Sequence, residues 1–112
     1  MGDKLKKILI ITNSIDNTAT YISNKYAKDA SFFRLNVDLF NNYSININQD
    51  EVEIIDLESK NNITSSEIHS VYYRNITFPS FSDYNSLYHG LMKSEIMAII
   101  KGIAESVGTR AL

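Results

Sequence analysis

The chain has 112 residues, 44% of them hydrophobic and 21% charged, with a net charge of -2. That is the composition of one ordinary globular domain, with no cationic excess to neutralise nucleic-acid phosphates or to dock on an anionic membrane. It contains no cysteine, which excludes disulfide frameworks, thiolate zinc sites and cysteine nucleophiles.

Met1 to Lys7 is charged, and the apolar run from Ile8 to Ile11 is too short for a signal or a membrane span, so a cytoplasmic location is expected. Lys7 to Thr12 is a continuous apolar run preceded by charge, which predicts a strand buried on both faces, as at the centre of a parallel sheet. Asn13 to Thr18 is rich in helix N-cap candidates, with Asp16 or Thr18 placed to accept from the free amides of the next turn. Ala19, Ile22 and Tyr26 then recur at helical spacing, and Lys25 and Lys28 suit the negative end of the dipole.

Ser31 to Asp38 reads as a second strand, with Phe33, Leu35 and Val37 on one face and Arg34, Asn36 and Asp38 on the other. Tyr43, Ile45 and Ile47 alternate with polar residues. After a turn around Gln49-Asp50, so do Val52 and Ile54, which predicts a hairpin. Asn61 to Glu67 reads as a polar connector, with a helical turn begun by Thr64 or Ser65. Ser70 to Arg74 reads as a further strand. Pro79 sits in an aromatic loop from Phe78 to Tyr84. Leu91 or Met92, Ile96, Ile99, Ile100, Ile103 and Val107 then mark an amphipathic helix, with Gly108 as its stop and Gly90 either inside it or just before it. The order strand, helix, strand, hairpin, strand, helix predicts a single α/β domain over residues 1–112. It is an open sandwich with a parallel pair, and the hairpin makes its sheet mixed.

Chemistry is sparse. Open α/β sheets bind ligands at the loop after the first strand, yet Thr12-Asn13-Ser14-Ile15-Asp16 has no glycine to let backbone amides approach phosphate. A capped helix start is therefore the favoured reading, with Asn13, Ser14 and Asp16 as loop candidates for a polar ligand. The same loop lacks the carboxylate pair with which a phosphoacceptor domain holds magnesium. His69 and His89 are isolated in sequence, and nothing resembles a nucleophile elbow. The polar row Arg34, Asn36, Asp38 is either a solvated or internally paired edge, or a surface for a ligand or another domain. Arg74 closes a strand beside the aromatic loop, where it suits a carboxylate or a partner's backbone.

Three segments in register carry a resemblance. Ile8 to Asn13, then Arg34-Leu35-Asn36-x-Asp38, then Ser70-Val71-Tyr72-Tyr73-Arg74 ahead of Pro79 resemble the opening domain of the microviridin-type ATP-grasp peptide maturases, the graspetide ligases. Glu95 is similar to a glutamate near the start of that family's next helix. Tyr72 stands where the family usually has tryptophan, Asn75 where a second arginine is common, and Asp29-Ala30 where a glycine ends the first helix. Any role of the arginine pair therefore falls to Arg74 alone. The resemblance implies a Rossmann-like, non-catalytic pre-ATP-grasp domain at the front of a longer ligase. Such a ligase would use ATP and magnesium, held beyond this chain, to crosslink a ribosomally made precursor peptide through an acyl phosphate. The implied partners are the remaining ATP-grasp domains and that peptide, with Arg34, Asn36 and Arg74 shaping a wall of its cleft. A domain separated from such partners is expected to self-associate through Phe78, Phe81, Tyr84 and part of the Met92–Val107 helix. Two other readings are a stand-alone protein or peptide interaction module, and a small flavodoxin-like binder with its ligand at Asn13–Asp16.

Overall fold

The computed structural model describes residues 5–48, 51–74, 76, 78–79 and 86–107. Strand β1 (Lys6–Thr12) is followed by helix α1 (Asn17–Lys25) and strand β2 (Ala30–Asn36). A 3-10 stretch, Val37–Asn42, broken at Leu39, leads into β3 (Tyr43–Ile47), β4 (Val52–Asp56) and β5 (Asn62–Thr64). A 3-10 turn, Ser65–Glu67, precedes β6 (Ile68–Tyr73). Another, Ser86–Tyr88, precedes helix α2 (His89–Val107).

The strands form two three-stranded sheets. In the first, β1 lies between β2 and β6, parallel to both; in the second, β4 lies between β3 and β5, antiparallel to both. Leu9, Ile10 and Ile11 have no exposed surface, as the uninterrupted apolar run of a central parallel strand requires. Period-two alternation sends Leu9 and Ile11 to one face and Ile8 and Ile10 to the other. Leu9 and Ile11 join Leu35, Val37 and Val71 in a core shared with the second sheet and α2. Ile8 lies on the α1 side with Ile22, Tyr26, Phe32 and Tyr72.

The second sheet contributes a row of isoleucines, since Ile45 pairs with Ile54 and Ile54 with Ile63. Helix α2 covers the same core through Ile96, Ile100, Ile103 and Val107, spaced four, three and four apart. Burying each such side chain stabilises the fold by roughly 1.5–3 kcal/mol.

Several expectations hold: the first strand, the Asp16-capped helix, the hairpin, the strand before Arg74, which ends at Tyr73, and the last helix, with Gly90 inside it. Three are corrected. The hairpin does not join the parallel sheet; it makes its own sheet with β5. Tyr43 explains part of this, because its hydroxyl accepts from the Asn36 amide (3.0 Å) and donates to the Arg34 carbonyl (3.0 Å), taking up edge groups of β2. The connector Asn61–Glu67 is not all loop: Asn62–Thr64 is a strand whose single inward residue, Ile63, is 1% exposed. The helical turn at Thr64 is present and carries a capping box with Glu67. Thirdly, Asp38 is not on the second strand. The chain leaves β2 at Asn36, buries Val37 and turns, so Asp38 stands in the 3-10 stretch. Gly108, Phe81, Tyr84 and the Gln49-Asp50 turn lie outside the described residues.

At the start of β6, Lys7 is opposite Ile68 and Ile8 is opposite Ser70, so His69 is an extra residue in that strand. The bulge lets Ile68 and Val71 both reach the core, at 1% and 0% exposure, while His69 faces solvent.

Candidate functional site at the carboxyl end of the parallel sheet

The residues singled out in the sequence converge on the loop between β1 and α1. Thr12, Asn13 and Asp16 are buried there, a concentration of polar groups that the sheet can hold only if they are bonded. Asp16 caps α1 as its composition suggests: Oδ1 accepts from the Ala19 amide at 3.1 Å. Its Oδ2 accepts from the Thr12 hydroxyl at 2.6 Å and from Arg74 Nε at 3.2 Å. Asn13 Oδ1 accepts from the Ile15 amide at 3.0 Å, which folds the loop back on itself.

Arg34 and Asn36 share one face of β2, as alternation predicts, and register places them opposite Ile10 and Thr12. The Arg34 guanidinium lies along the loop. Its Nε donates to Asn36 Oδ1 (2.8 Å), its Nη1 to Thr20 Oγ1 (2.7 Å), and its Nη2 to the carbonyls of Asn13 (2.6 Å) and Asp16 (3.1 Å). Asp38 reaches the same loop from the 3-10 stretch, accepting from the Ser14 amide at 2.8 Å and from the Ser14 hydroxyl. Arg74 arrives from β6, its amide still bonded to the Ile11 carbonyl at 2.9 Å, and its guanidinium lies 6.0 Å from the Tyr72 ring centroid. Five of the seven candidates, Asn13, Asp16, Arg34, Asn36 and Arg74, thus share one network, and Ser14 and Asp38 pair on the same loop.

Sequence reasoning missed Thr12 and Thr20 as members. Neither left a local signal: Thr12 ends β1 and meets Asp16 only through the fold of the loop, and Thr20 enters through Arg34 of β2. Tyr43 left no signal, because its role depends on how the two sheets meet.

The Asp16 carboxyl is held down at about 2, chiefly by the Thr12 hydroxyl; burial opposes this, and Arg74 and the Ala19 amide add to it. Arg74 is in turn shifted up by Asp16. The pair is therefore ionised across the ordinary pH range, so Asp16 is not a proton donor or acceptor there. Among the described residues no three His, Asp or Glu side chains cluster closely enough to hold a metal. A cleft of about 730 Å³ lies at the other end of the sheet, lined by Lys6, Lys7, Glu67 and His69. There Lys7 donates to Glu67, which lowers the Glu67 pKa. No described helix is long and apolar enough to cross a membrane.

A sequence model of the MvdD pre-ATP grasp domain matches residues 7–112. The chain belongs to that family. Among solved structures, this pre-ATP-grasp domain is similar to the macrocyclase MdnC of Microcystis aeruginosa MRC, solved bound with precursor peptide MdnA. The two share 21% identity at a TM-score of 0.79, over 95% of this chain and 37% of that one. Macrocyclase MdnB of the same organism gives 22% identity and a TM-score of 0.77, over 96% and 37%. At these identities the likeness speaks for the fold alone. A Chryseobacterium gregarium RiPP-associated ATP-grasp ligase, solved with ADP and a leader and core peptide, is 26% identical with a TM-score of 0.74, over 96% and 35%. The chain therefore spans little more than a third of the length of the proteins it resembles. No curated protein matches it.

Proposed function

We propose that this domain is the non-catalytic part of an ATP-grasp ligase that crosslinks side chains of a ribosomally made precursor peptide. In that chemistry a peptide carboxylate is activated as an acyl phosphate, and a hydroxyl or amine of the same peptide displaces phosphate to leave an ester or amide. ATP and magnesium belong, on this reading, to domains beyond this one. The loop after β1 suits neither. The Ser14 and Ile15 amides that could receive a phosphate are taken by Asp38 and the Asn13 side chain, and the carboxylates of Asp16 and Asp38 are already engaged by Thr12, Arg74 and Ser14.

The domain's own work is scaffolding. It packs on the catalytic domains and offers the carboxyl end of its parallel sheet as one wall of the peptide cleft, the end where open α/β sheets receive ligands. Ile15, 82% exposed on a loop whose neighbours are all bonded, is the outward group there. The observation that carries the reading is the family match over residues 7–112, supported by the Chryseobacterium ligase with its bound peptides.

Calorimetry with ATP and magnesium on the 112-residue chain tests it. No binding is expected up to millimolar nucleotide, and micromolar binding overturns the assignment of the nucleotide site to other domains.

A further inference from the structure

We propose that the crevice beyond the carboxyl end of β1 is a guanidinium site, which the domain fills with its own Arg34. Four acceptor oxygens line it: the Asn13 and Asp16 carbonyls, Thr20 Oγ1 and Asn36 Oδ1, each within 3.1 Å of a guanidinium nitrogen. They come from the β1–α1 loop, from α1 and from β2, so the cradle exists only when all three are in place. Its chemistry is that of a planar fork of donors. Nε, Nη1 and Nη2 each find an acceptor, and Nη2 finds two, an arrangement a compact ammonium cannot reproduce. An anion finds only oxygens facing it.

A Rossmann-like fold offers phosphate two things at this place, an open turn and a helix N-terminus. Here the turn is bridged by Arg34, and the α1 terminus is capped by Asp16 through the Ala19 amide. The crevice is therefore a lock between β1, α1 and β2, and the ligand it recognises is a guanidinium or a small alkylguanidine. This stands apart from the ligase reading, since it concerns the domain alone and holds or fails whatever follows the domain.

Arg34→Ala and Arg34→Lys test the idea by thermal unfolding. Arg34→Ala is expected to lose roughly 10 °C in Tm, because charge-assisted bonds to buried carbonyls are removed. Millimolar methylguanidinium should restore part of that loss in a saturable way. Methylammonium and sodium chloride at equal concentration should not, and the wild-type chain should not gain. Arg34→Lys is expected to be nearer to alanine than to wild type.

A rescue equal with methylammonium, or a lysine variant as stable as wild type, overturns the proposal. Should Arg34→Ala not fold, the wild-type chain still reports. Its Arg34 Nη protons should give separate, exchange-protected NMR signals, and a single averaged signal exchanging at the solvent rate overturns the lock.

Discussion

Asp16 shows how much one side chain does when its neighbours are arranged first. It ends β1's loop, starts α1 and holds Arg74 just past β6, and its pKa is drawn down to about 2 from 3.8. A carboxyl lowered on folding stabilises the native state above its unfolded pKa and loses that contribution as pH falls through the folded one, so the window here is about pH 4 to 2. The shift corresponds to about 2 kcal/mol. Urea unfolding from pH 7 to pH 2 should show wild-type stability falling steeply in that window. Asp16→Asn should be less stable at pH 7 and flatter below pH 4. A variant with the wild-type pH dependence would assign the effect elsewhere, with Glu67 the next carboxyl to examine. Cap, loop and the paired face of Arg34 and Asn36 were legible because local spacing alone places them. Asp38 misled because Val37 is inward-facing whether the chain continues as a strand or turns, so alternation runs on past the true strand end. Thr12, Thr20 and Tyr43 needed the register of other elements.

At the level of elements, strong periodicity was readable and short elements were not. Helix α2 announces itself by four buried residues on one face, whereas β5 offers a single isoleucine between Asn62 and Thr64, too little for a period of two. Helix α2 also carries a glycine in its interior. A Cβ added at Gly102 meets nothing within 4 Å, so the residue brings backbone entropy without a packing reason. Gly102→Ala is expected to raise stability by about 0.5–1 kcal/mol, read as a higher denaturation midpoint with unchanged slope. A loss of stability would mean that another chain or domain approaches the helix at that point. The face of α2 turned away from the core keeps Leu91 and Met97 exposed, 59% and 41%. The expected self-association falls partly on this helix; Phe78 packs on the core.

For the whole molecule, α/β class followed from the element order, but the partition into two sheets did not, since pairing partners are set by three-dimensional closure rather than by neighbours in sequence. The partition has an energetic signature. β1 is the central strand of the parallel sheet, and Leu9, Ile10 and Ile11 are wholly buried. Its amides should exchange with solvent only through global unfolding, while those of β3, whose Ile47 is 60% exposed, should exchange through smaller openings. Native-state hydrogen exchange would separate the two classes, and equal protection would indicate a single cooperative unit.

The excursion from Asn36 to Ile68 leaves the parallel sheet beside β1 and returns beside it. Its β4–β5 turn is held by the Asp56 carbonyl and carboxylate, with Lys60 in a left-handed conformation at φ 68°. Lys60 and Asn61 lie near Lys7, at the opposite end of β1 from the polar crevice. Added chain length costs little at such a site, about 0.6 kcal/mol for each doubling of a loop. A peptide tag or a fluorescent reporter grafted there would travel with the domain while leaving the Arg34 crevice, and any peptide lying over it, undisturbed.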